Sequence, residues 1–65
     1  MVKYRLIDYK TNVEYVVEAK DKSDLRIQAY GKVPEGNYKV VNRDGSTKYY
    51  LNVTKKGYER AKNAR

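Results

Sequence analysis

The carboxylates of the chain are Asp8, Glu14, Glu18, Asp21, Asp24, Glu35, Asp44 and Glu59. None is spaced as a general acid–base pair, nor as the oxygen cage that a hard cation needs. Histidine and cysteine are both absent. That removes the usual general base, the commonest zinc ligand, thiol nucleophiles and disulfides together. Ser23, Ser46, the threonines, the tyrosines and the lysines are left as nucleophiles with no histidine to activate them. Gly31, Gly36, Gly45 and Gly57 stand apart, in turns or in the C-terminal stretch, and form no phosphate-cradling loop. These residues point away from an enzyme and call for no cofactor and no metal.

What the chain does carry is positive charge and tyrosine. Fifteen Lys and Arg against eight Asp and Glu leave +7 on 65 residues, and eight tyrosines stand with no Phe or Trp. Lysine and arginine neutralise phosphates, and aromatic rings stack on unpaired bases. Which of these residues act together depends on the elements that carry them. The length allows one domain with a thin core. Leu, Ile and Val make up only about a fifth of the chain, the border of disorder, and the tyrosine rings move it back towards a folded protein.

Residues 2–8 alternate, with Val2, Tyr4 and Leu6 on one side and Lys3, Arg5 and Ile7 on the other. Residues 13–19 alternate too, setting Val13, Tyr15, Val17 and Ala19 against Glu14, Val16 and Glu18. A short polar link joins them, so they form a hairpin of half-buried strands. Two registers match the apolar faces and set opposite charges across the strands: one pairs Lys3 with Glu18, the other Arg5 with Glu18. The choice between them stays open. Asp21 or Ser23 then caps a helix of about ten residues, which Gly31 and Pro34 end. Residues 38–43 and 47–53 alternate around Asp44-Gly45, a two-residue turn that sets Val40 opposite Tyr49 and Tyr38 opposite Leu51.

All four strands thus share one apolar face, and one helix covers it. The expected fold is α+β, a two-layer ββαββ domain over residues 1–53 with a four-stranded antiparallel sheet. Residues 54–65 are a basic tail, with a short helix from about Tyr58 left open, because Gly57 and the lack of large apolar residues weaken it.

The uncovered sheet face carries Lys3, Arg5, Lys39, Arg43, Lys48 and Tyr50, with Ile7, Val16 and Val41 among them, and Glu14 and Glu18 interrupt it. The tail adds Lys55, Lys56, Arg60 and Lys62, and Arg65 extends the same sign. Tyr4, Tyr15, Tyr38 and Tyr49 belong to the core face, leaving Tyr9, Tyr50 and Tyr58 for contacts. The first-ranked function is a small nucleic-acid-binding protein that uses the open sheet face and the tail. RNA or single-stranded DNA is favoured over duplex, because the helix presents a mixed face of Asp21, Lys22, Asp24, Arg26 and Lys32 and not a recognition surface. The alternative is a non-enzymatic protein-interaction module, such as a phage or mobile-element accessory factor, docking on an acidic protein partner. A sheet edge also offers strand addition or a dimer. No run reaches the ~18 apolar residues of a membrane span, and no apolar leader is present, so the expected place is the cytoplasm without membrane attachment.

Overall fold

The computed structural model describes residues 1–64. The elements run β1 (Val2–Asp8), β2 (Glu14–Ala19), α1 (Lys22–Ala29), β3 (Gly36–Val41), β4 (Thr47–Val53) and α2 (Lys55–Asn63). The strands form one sheet in the order β2-β1-β3-β4, and every neighbouring pair is antiparallel. The connection through α1 carries the chain from β2, past β1, to β3. The fold is α+β as expected, with a second helix added to the covered face.

The first hairpin adopts the register that sets Lys3 opposite Glu18. Its link decides this. The Asp8 carboxylate accepts the N–H groups of Lys10 and Thr11 at 2.8 and 3.1 Å, and Asn12 takes a left-handed φ of 63°. Asp8 N–H then bonds the Val13 carbonyl at 2.9 Å, which fixes every pair behind it. Asn tolerates that conformation better than most residues, because its short amide bonds locally.

Helix α1 starts at Asp21, whose carboxylate accepts the Asp24 N–H at 2.8 Å. Asp24 is itself buried and accepts the Lys20 N–H at 2.9 Å. The helix has eight residues where about ten were expected. Leu25 and Ala29 face the sheet and are fully buried.

The second hairpin departs from the expected turn. Its closing residues are Asn42 and Ser46, so the loop has three residues, Arg43, Asp44 and Gly45. Asn42 accepts the Gly45 N–H, and Gly45 follows at φ 91°, where a side chain would be strained. This is a three-residue hairpin loop closed by a left-handed glycine. The Asp44 carboxylate holds it by accepting from Ser46 N–H and hydroxyl at 2.9 and 2.6 Å. The added loop residue is absorbed by a bulge between Val40 and Val41, so Val40 still meets Tyr49 and Tyr38 still meets Leu51. One consequence is that β3 ends at Val41 and Arg43 lies in the loop, off the strand face.

The expected tail is a packed helix that begins at Lys55, ahead of Tyr58. Thr54 caps it by accepting the Gly57 N–H at 3.0 Å. Glu35, from the loop before β3, accepts the Lys55 N–H at 3.1 Å and brings negative charge to the helix's positive end. Gly57 suits the close approach to β4, since a Cβ there would meet Thr54 Oγ1 at 3.2 Å and the Asn52 carbonyl at 3.8 Å. Tyr58 stacks on Tyr30 with ring centroids 4.6 Å apart, fastening α2 to the end of α1. Tyr58 is therefore committed to packing, whereas the sequence left it free for contact. Arg65 lies outside the described residues.

The core sits between the sheet and the helices. Leu6, Leu25 and Tyr38 are fully buried, and Val17, Val40, Leu51 and Val53 nearly so. Each such side chain contributes ~1.5–3 kcal/mol by leaving water. Tyr38, on central strand β3, satisfies its hydroxyl by donating to the Pro34 carbonyl. Tyr4, Tyr15 and Tyr49 pack at the margin of the cluster, as their positions on the apolar face require.

Candidate functional site

The open face of the sheet is assembled from the residues that alternate away from the core. One row across the strands runs Glu14, Ile7, Lys39, Tyr50, and the next, towards the first turn, holds Asn37 and Asn52. Tyr9 joins this second row because its N–H bonds the Asn37 carbonyl at 2.9 Å, extending β1 by a residue. Its ring lies 6.1 Å from that of Tyr50, tilted by 60°. The Lys39 ammonium stands 5.2 Å from the centre of the Tyr9 ring. Both rings are open to solvent, Tyr9 at 58% and Tyr50 at 65%. Asn52 donates to Asn37 beside them, which leaves further amide groups to face a ligand.

The other half of this face is tied down. Arg5 makes a two-pronged ion pair with Glu14 at 3.0 and 3.2 Å and also reaches the carbonyls of Asn42 and Arg43. Val41, the residue paired with Arg5, is only 8% exposed although it lies on the open side. The hydrogen bonds from Arg5 hold the Glu14 carboxyl below its ordinary range, and Glu14 raises Arg5 in turn. Lys3 stands opposite Glu18, and Lys48 is exposed near the hairpin loop. Burial pushes the hydroxyls of Tyr38 and Tyr49 above their ordinary value, so both stay neutral near neutral pH.

A second assembly lies on the covered side. An open cleft of about 340 Å³ runs between α1 and α2. Lys22 and Arg26 line it from α1 and Arg60 from α2, together with Gly57 and Ala61. The mixed face read for α1 is resolved by burial. Asp21 is spent on the cap and Asp24 is turned inward, so Lys22 and Arg26 remain outside. Lys22 is held 4.3 Å above the Tyr49 ring. Lys55, Lys56 and Lys62 lie exposed along α2, with Lys62 5.8 Å from the Tyr58 ring.

The structure thus brings Lys39 and Tyr50 together and sets Tyr9 beside them, a contact candidate that the sequence placed in the first turn and not on the sheet face. The signal for it was the alternation of Lys3, Arg5 and Ile7, which continues one step to Tyr9. It also joins Arg60 to Lys22 and Arg26, a grouping with no signature in the linear order. Among the described residues, no group of three or more His, Cys, Asp or Glu is placed to hold a metal, and no helix is long and apolar enough to cross a membrane. No protein-family model, curated protein or solved structure matches the chain.

Proposed function

We propose that this protein binds single-stranded nucleic acid through its open sheet face. The observation that carries this reading is the pair of exposed rings, Tyr9 and Tyr50, side by side on a sheet with Lys39 against one of them. Each ring offers a stacking surface to an unpaired base, and such stacking is worth ~1–3 kcal/mol per base whatever its identity. Lys39, Lys3 and Lys48 supply charge for the phosphates between bases, and the Asn37–Asn52 pair supplies donors and acceptors for base edges. Arg5 supports the surface from its ion pair with Glu14. The net +7 of the chain draws the strand in from a distance.

A titration of the full chain against labelled single-stranded RNA, single-stranded DNA and duplex, each at two salt concentrations, tests the proposal. Micromolar or tighter binding to single strands at low salt, weaker at high salt, is the expected result. No binding at low salt would overturn it. A second reading, a protein-interaction module, draws on β2, which is an edge strand and leaves Val16 58% exposed. An open strand edge suits strand addition by a partner chain.

A further inference from the structure

We infer that the cleft between α1 and α2 is a second binding site, one that takes the sugar–phosphate backbone of a nucleic acid on the side of the molecule opposite the tyrosine pair. The lining is charged and small. Lys22, Arg26 and Arg60 line it from two helices, together with Ser23 and the small residues Gly57 and Ala61. Small residues let a ligand backbone come close. The cleft lacks the bulky apolar anchors that a lipid surface requires and the aromatic or large apolar pocket that marks a protein hot spot. It also lacks a ring on which to stack a base. What it recognises is negative charge on a narrow chain.

Three cations from two helices meet in the cleft, and the Arg5–Glu14 ion pair lies on the other side of the sheet. The acids nearest the cleft along α1 are Asp21, which receives the Asp24 N–H at the helix cap, and Asp24, which is buried and receives the Lys20 N–H. Lys22 is held over the Tyr49 ring, which lowers the entropy lost when it meets a phosphate. The sheet lies between this cleft and the Tyr9–Tyr50 pair, so the two sites contact separate stretches of nucleic acid. The inference takes its ligand class from the nucleic-acid reading, but it does not use the sheet face.

The test uses an abasic oligodeoxyribose phosphate, a probe with phosphates and no bases, titrated into the ¹⁵N-labelled full chain. The amide signals of Ser23, Arg26, Gly57 and Ala61 are expected to shift at lower probe concentration than those of Lys3, Lys39 and Lys48 on the open face. The double variant Arg26→Gln/Arg60→Gln should weaken abasic binding roughly tenfold and make the slope of log K against log salt shallower by about 0.7 for each phosphate no longer neutralised. Arg26→Lys/Arg60→Lys should restore most of it. Tyr9→Ala/Tyr50→Ala should leave it unchanged. Shifts spread evenly over all lysine-bearing segments, or glutamine variants that bind like the parent, would overturn the inference. The two proposals fail separately. Loss of the cleft effect with intact tyrosine-dependent binding of a base-bearing strand removes only the cleft. The reverse pattern removes only the sheet face.

Discussion

The two faces of the sheet are made from the same four strands and differ in what they do with charge and rings. On the covered face, Tyr38 is buried with its hydroxyl bonded to Pro34, and the helices above carry Lys22, Arg26, Arg60 and the lysines of α2 to the surface. On the open face, Tyr9 and Tyr50 stand in solvent, while Arg5 is tied to Glu14 in an ion pair. Rings are thus offered on one side, and many of the cations stand on the other. The +7 counted from the sequence does not coat the tyrosine surface. The helical layer holds a large share of it, with Lys22 and Arg26 exposed on α1 and Lys55, Lys56, Arg60 and Lys62 on α2 against Glu59. A count of charge therefore does not say which surface carries it.

The sharpest way to break this comparison is to treat tyrosines on the two faces alike. Tyr38→Ala should cost ~3–5 kcal/mol, the price of emptying a large buried ring site. For a chain of this length, whose total stability is ~3–10 kcal/mol, that unfolds much of the population. Tyr50→Ala should lie within about 0.5 kcal/mol of the parent, as exposed substitutions do. Urea denaturation measures both, and equal effects would mean that the open face is covered.

Next in size is the helical layer's own anchorage. Thr54→Ala removes the cap of α2 and should cost ~0.5–2 kcal/mol, with loss of helical signal from residues 55–63. An unchanged denaturation midpoint would return this segment to the free basic tail that its composition suggests.

A smaller effect separates the faces by pH. Glu14 is held below its ordinary value by Arg5, and Asp44 by its hydrogen bonds from Ser46. A depressed carboxyl stabilises the fold above its unfolded-state value, near 4, and that contribution is lost as pH falls through the folded-state value. Glu14→Gln should therefore flatten the fall in melting temperature below about pH 5, without altering the binding of a phosphate-only probe. A profile identical to the parent's would show that the Arg5–Glu14 pair contributes nothing. Smallest of all is Tyr49→Phe. The Tyr49 hydroxyl is buried with no hydrogen-bond partner among the described residues, so its removal should leave stability unchanged or slightly higher. A loss above about 1 kcal/mol would reveal a bond to that hydroxyl.

Much of this architecture was legible in residue order. Period-two alternation sorted Tyr4, Tyr15, Tyr38 and Tyr49 from Tyr50, because a pleated strand permits only two faces. Asp21, Gly31 and Pro34 bounded α1 through backbone chemistry that acts locally. The details that escaped are the non-local ones. Helix α2 lacks an acid in its first turn and borrows Glu35 from a distant loop, and it gains its packing from Tyr30, neither of which a local pattern reveals. The pairing of Tyr9 with Tyr50 depends on β3 lying between β1 and β4, a sheet order that alternation does not encode. The three-residue loop at Asp44 was missed because the bulge at Val40–Val41 conceals it, restoring the same pairs beyond.

The central claim is that the open face binds through its rings, and one measurement meets it directly. The affinity of a short single-stranded oligonucleotide is recorded across a salt series for the parent and for Tyr9→Ala/Tyr50→Ala. The account predicts a loss of ~1–3 kcal/mol for each stacked base given up, with the slope of log K against log salt unchanged, because stacking releases no counterions. Tyr9→Phe/Tyr50→Phe should keep most of the affinity, since the ring and not the hydroxyl makes the contact. Alanine variants that bind as tightly as the parent, or that lose affinity only through a shallower salt slope, would contradict it.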